Sequence, residues 1–168
     1  MISKILAGCA AAALIAAIAN PGFAAESAKA PSIEGTYKLV SRKLADAKVL
    51  SGQEVVGLFT YTKTHRNFNL AWKDSAGKHW SYSVVSTYKL TATEYTETRL
   101  VSILTDEISG KGTTYDLAGS TRKVPVKVSG GRIEIQLPFD PVTAVFDAAG
   151  LTGTNNEGLF VDRWEKVK

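Results

Sequence analysis

The chain has 168 residues, with 20 Lys and Arg against 16 Asp and Glu and a formal net charge of +4. That excess is small and scattered. The one dense basic stretch, Arg163 to Lys168, is interrupted by Glu165, so the composition gives no nucleic-acid footprint.

The chain opens on one charge, Lys4, and then Leu6-Ala7-Gly8-Cys9, which has the form of a bacterial lipobox. A lipoprotein signal places its apolar run before the cysteine, whereas here the run Ala10–Ala19 follows it. That order fits an ordinary secretory signal: a short basic start, an apolar stretch, then small residues at the cut. Gly22-Phe23-Ala24 supplies small residues at both required positions, so cleavage is expected after Ala24, with Ala19 as the alternative and a lipid anchor on Cys9 as the competing reading. The run falls short of the roughly 20 apolar residues that span a bilayer, and Pro21-Gly22 interrupts it. Residues 1–24 thus read as a signal peptide, 25–32 as a flexible leader, and 33–168 as one exported domain, periplasmic or secreted. Cleavage removes the only cysteine, so that domain must be held by its own core.

From Ile33 onward apolar residues recur with period two. Phe68, Leu70 and Trp72 share one face; Trp80, Tyr82, Val84, Tyr88 and Leu90 share another. Val124, Val126 and Val128 alternate with Lys123, Pro125 and Lys127, and Ile133, Ile135 and Leu137 with Arg132, Glu134 and Gln136. Such alternation means strands with one buried face. Strands are expected near 35–43, 54–62, 66–73, 78–90, 93–104, 112–117, 121–128, 132–138 and 158–167. Asp74 to Gly77 and Ser129-Gly130-Gly131 are turn signals between them. Pro125 has no amide donor, which predicts a bulge or broken pairing there. Within the irregular stretch 139–157, Val142 to Ala149 is a helix candidate, preceded by Pro141 and ended by Gly150.

Many short antiparallel strands joined by tight turns form a meander, and a meander of this size avoids bare edges by closing. The fold class is therefore all-β, an antiparallel up-and-down β-barrel of about eight strands, closed by pairing of 35–43 with 158–167. Eight strands leave an interior wide enough for side chains or one small ligand. Runs such as 66–73 and 132–138 are shorter than the roughly 9–11 residues of a membrane-spanning strand, and the chain ends Lys166-Val167-Lys168 rather than in an aromatic girdle. No stable membrane insertion is expected.

Four stretches resemble the lipocalin-like domain family of bacteria. Gly35-Thr36-Tyr37 stands where lipocalins carry Gly-any-Trp; Val56-Gly57-Leu58-Phe59-Thr60-Tyr61-Thr62 is similar to the family's second strand. Arg132-Ile133-Glu134-Ile135 and the closing Arg163-Trp164-Glu165-Lys166-Val167 complete the likeness, which spans about Ile33 to Val167. Tyr37 in place of Trp, Thr64 in place of a turn Gly, and Thr114-Tyr115-Asp116 in place of Thr-Asp-Tyr depart from the pattern. The resemblance implies a lipocalin-like barrel, with Arg163 of the last strand packed on Tyr37; the alternative for Arg163 is a solvated surface residue.

No nucleophile elbow or phosphate loop is present, and the two histidines, His65 and His79, flank one strand and so lie near opposite ends of the barrel. No shared metal site is expected from them, and no cofactor. Glu94 and Glu97 differ in parity and point to opposite faces; Asp140 and Asp147 flank the helix candidate. What stands out is the aromatic load at alternating positions: Tyr37, Phe59, Tyr61, Phe68, Trp72, Trp80, Tyr82 and Tyr88. These are core, or the wall of an apolar pocket with phenol hydroxyls as orienting groups. Trp72 and Trp80 bracket the turn Asp74–Gly77 and are expected close together at one barrel end. The leading reading is a binder of a small apolar or amphipathic molecule rather than an enzyme. Two alternatives stay open: an isomerase or hydrolase in the barrel mouth using His65 with a carboxylate, and a secreted interaction or inhibitor module presenting 139–157.

Overall fold

The computed structural model describes residues 31–168. The expected signal peptide, its cleavage sites and the leader as far as residue 30 lie outside the described residues.

Twelve strands follow one another: β1 (Gly35–Leu44), β2 (Val49–Ser51), β3 (Val55–Tyr61), β4 (His65–Lys73), β5 (His79–Leu90), β6 (Glu94–Asp106), β7 (Gly112–Asp116), β8 (Thr121–Ser129), β9 (Arg132–Gln136), β10 (Val142–Asp147), β11 (Gly150–Asn155) and β12 (Phe160–Lys166). Every pairing is antiparallel, and β1 pairs β12 from Tyr37↔Lys166 to Leu44↔Phe160, which closes the ring and leaves the meander no bare edge there. Ten strands form the closed barrel; β2 lies outside it beside β1, and β7 beside the far half of β6.

The ring holds ten strands, not about eight, because residues 142–155 are a hairpin and not a helix. Val142, Thr143 and Val145 are β-branched, which favours a pleated strand, and the inward positions Ala144 and Phe146 are buried. Asp147 Oδ1 accepts hydrogen bonds from the Ala149 and Gly150 amides and makes the turn. Gly150 is required there: its φ is +140°, and an added Cβ would lie 2.2 Å from the Trp164 carbonyl oxygen. The expected break at Pro125 is a change of partner. Thr121–Pro125 pairs with β6, Val126–Ser129 with β9. The Val126 amide donates to Thr93 O, so strand alternation turns position 125 toward the side where the β9 ladder has not yet begun.

Two bulges decide which side chains enter the barrel. In β1 the register slips between Leu39 and Ser41, leaving Val40 outside and turning Arg42 inward. In β6 Val85 pairs Val101 but Ser86 pairs Arg99, so Leu100 is the extra residue. The inward positions therefore run Tyr95, Glu97, Arg99 and then Ser102, Leu104, Asp106.

One end of the barrel is filled. Tyr37, Tyr61, Tyr88, Tyr95, Phe146 and Ile133 come from strand ends that meet there. Tyr61 makes edge contacts with Tyr88 at 5.2 Å and Phe146 at 5.6 Å, and the Tyr37 hydroxyl donates to Ile33 O. The contact expected between Arg163 and Tyr37 does not form. Arg163 is exposed, its alternation setting it opposite to Trp164, and Lys166 Nζ lies 5.7 Å from the Tyr37 ring centre instead. At mid-barrel the Trp164 indole packs against Gly57, where a Cβ would stand 2.7 Å from the ring.

Candidate functional site: a cavity at the open end of the barrel

Above the tyrosine floor lies a cavity of about 450 Å³, within the range of small-molecule pockets. Its deep wall is Phe59, Phe68, Leu70 and Trp164, all buried; toward the other end it is lined by Trp72, Trp80, Leu104 and Phe160, which are partly exposed. The cavity thus opens at the end carrying the β4–β5 turn.

Of the eight aromatic residues singled out in the sequence, Phe59, Phe68, Trp72, Trp80 and Tyr82 line this cavity. Tyr37, Tyr61 and Tyr88 do not; they belong to the closed floor, because β1 and β4 begin, and β3 and β5 end, at that end. Trp72 and Trp80 are directly paired across the β4–β5 hairpin, and their rings stack with centroids 4.3 Å apart and planes 15° from parallel. His65 sits at the floor end, exposed and hydrogen-bonded through Nδ1 to Thr64 Oγ1, while His79 at the opposite end faces Glu107 at 3.3 Å. Neither histidine lines the cavity.

The alternation pattern also puts charge inside the barrel. Arg66 shares the inward face of β4 with Phe68, Leu70 and Trp72, and its side chain is 1% exposed. Arg66 Nη1 donates to Glu97 Oε1 at 2.7 Å; Ser86 Oγ donates to the same oxygen at 2.7 Å, and Tyr95 OH to Oε2 at 3.0 Å. Burial works against the Arg66 charge, but Glu97, followed by smaller contributions that include Asp140, outweighs it and holds the guanidinium protonated well above its usual range. Asp140 belongs to residues 137–141, between β9 and β10, and reaches into the barrel. It accepts from Arg66 Nη2 (3.2 Å), Arg99 Nη2 (3.1 Å) and Tyr82 OH (3.2 Å). Burial, reinforced by the Asp140 charge, pushes the Tyr82 phenol up to about 12, so it stays a donor at neutral pH.

A second pair stands nearer the opening. Arg42 Nε and Nη2 each lie 2.7 Å from an oxygen of Asp162, and burial pushes the Asp162 carboxyl upward against the pull of those two bonds. The Arg42 guanidinium lies over Phe160 at 4.0 Å and Trp72 at 4.7 Å. Such stacking stabilises a desolvated cation by about 0.5–2 kcal/mol. Sequence reasoning missed Arg42, Arg66, Glu97, Arg99, Asp140 and Asp162. Arg66, Glu97, Arg99 and Asp162 each share parity with an inward aromatic, which was the available signal. Arg42 is hidden by the bulge at Val40, and Asp140 lies outside any strand. Among the described residues no three His, Cys, Asp or Glu side chains gather in a way that could hold a metal ion.

Fold and site together define a closed antiparallel β-barrel with a filled floor and an apolar cavity whose charged side chains form ion pairs inside it. Comparison with protein-family models, curated proteins and solved structures finds no match to this chain.

Proposed function

We propose that this protein binds a small apolar or amphipathic molecule in the barrel cavity, and that it does so in the periplasm or outside the cell as a lipocalin-like protein. The observation that carries the reading is the cavity itself: about 450 Å³, walled by Phe59, Phe68, Leu70 and Trp164 and open past two stacked indoles. Moving apolar ligand surface from water onto such walls is favourable by about 25 cal/mol per Å² before the costs of association. The polar outward positions Asn67 and Asn69 of β4 support a domain that faces water. Residues 139–157, the segment an interaction module would present, are largely built into the barrel wall as β10 and β11.

The test is native mass spectrometry of protein purified from its own host, together with titration of an apolar fluorescent probe. A retained small molecule and saturable 1:1 probe binding are expected. Failure to bind the probe, with nothing retained, overturns the reading.

A further inference from the structure

We propose that the ligand is an amphiphile with a carboxylate head, and that Asp140 is a built-in competitor that holds the head-group site until the ligand displaces it. The inference rests on the ligand-binding reading above and names the ligand class.

The three barrel anions that pair with arginines are held differently. Glu97 is fully buried on the rigid β6 strand and takes bonds of 2.7, 2.7 and 3.0 Å. Asp162 is fixed on β12 by two bonds of 2.7 Å to Arg42. Asp140 stands on a connection rather than a strand, keeps 15% of its side chain exposed, and is held by three longer bonds of 3.1–3.2 Å. Its three donors come from β4, β5 and β6, which are adjacent strands of the barrel wall. The donors are therefore a preformed carboxylate site, and the weakest-held part is the carboxylate in it.

The donors have capacity left. Arg99 carries five N–H donors, is 9% exposed, and makes a side-chain hydrogen bond to Asp140 alone among the described residues. Its Nε, like that of Arg66, has no partner among them. Buried guanidinium donors without acceptors are costly, so a head group that also reached these Nε atoms would gain over Asp140, which reaches neither.

Charge decides between addition and exchange. Arg66 and Arg99 are balanced by Glu97 and Asp140. A carboxylate added beside Asp140 would leave one buried negative charge in excess, which is strongly disfavoured. Exchange keeps the balance: the ligand takes the Arg66, Arg99 and Tyr82 donors, and Asp140, already partly in water, turns out to solvent. The apolar tail then lies toward Trp72 and Trp80 at the opening.

The experiment compares decanoate with decanol by isothermal titration calorimetry, in wild type, Asp140→Ala, Asp140→Asn and Tyr82→Phe, with circular dichroism as the check on folding. The readout is the ratio of decanoate to decanol affinity. Wild type should prefer decanoate. Asp140→Ala should raise the ratio by about tenfold, the equivalent of one released charge-assisted contact, and Tyr82→Phe should lower it severalfold. Asp140→Asn keeps the side-chain volume and serves if the alanine variant does not fold; it should raise the ratio as well. A ratio near one in wild type that Asp140 substitutions leave unmoved overturns the head-group proposal while the cavity reading stands. Binding of neither compound overturns both.

Discussion

Arg42 and Asp162 face each other across the seam that closes the barrel, as register partners of β1 and β12 and as a two-bond ion pair with both distances 2.7 Å. The pair is 3% and 6% exposed, so neither charge has water to fall back on. Asp162→Ala leaves Arg42 buried without its anion and should cost about 3–5 kcal/mol. The double variant Arg42→Met, Asp162→Leu desolvates no charge and should recover most of that loss. Urea unfolding of the three proteins checks this; an Asp162→Ala midpoint equal to wild type contradicts it.

Trp72 and Trp80 are only partly buried, so they are wall rather than core. Trp72→Ala should cost about 1–2 kcal/mol of stability, below the roughly 3–5 kcal/mol of a fully buried Trp. Probe affinity should fall by more than stability does, because Trp72 lines the cavity and supports Arg42. Thermal unfolding and probe titration are measured on the same variant and on Trp80→Ala. Equal loss of both would mark the two indoles as core.

Gly57 gives a prediction of sign. Replacing a strand Gly by Ala ordinarily gains about 0.5–1 kcal/mol through chain entropy. Here the new Cβ would meet the Trp164 ring at 2.7 Å and Leu70 Cδ1 at 3.1 Å, so the indole must shift inside the barrel. Overpacking of this kind costs about 1–3 kcal/mol, and Gly57→Ala should be net destabilising with altered Trp emission. A stabilised variant would show that the indole does not rest on Gly57.

Five of the six tyrosines, Tyr37, Tyr61, Tyr82, Tyr88 and Tyr95, have phenols raised by burial. Tyr82 and Tyr88 are pushed up to about 12. In the unfolded chain these groups lose their protons near pH 10. Above that pH the unfolded state holds fewer protons than the folded one, so stability is full below about pH 10 and falls as pH rises toward 12. Absorbance at the phenolate band should therefore show most tyrosines ionising together with loss of the near-ultraviolet dichroism. Reversible ionisation of all of them near pH 10 in the folded protein would contradict the buried floor.

Period-two alternation determined the all-β class and most strand positions, because side-chain parity fixes which face of a strand leaves water; closure of the first strand on the last was expected because a meander avoids bare edges and because both chain ends resemble the lipocalin-like family. The same parity put Phe68 with Trp72 and Trp80 with Tyr82 on shared faces, and the turn Asp74–Gly77 brought the two indoles together, without deciding which face turns inward. It could not separate floor from cavity. Tyr61 and Phe59 share one parity, and only the tilt and length of the strands in the closed ring place one in the plug and the other on the cavity wall. The hairpin at 142–155 was masked by Pro141 and Gly150, which bound a helix as readily as a strand pair. Most of all, the charged interior came from three-dimensional closure. Arg66 and Glu97 sit on different strands and become partners only when β4, β5 and β6 lie side by side. Arg42 turns inward through a one-residue bulge that no alternation rule contains. Asp140 finds its donors because the closed barrel brings a short connection over the wall where three strands present them.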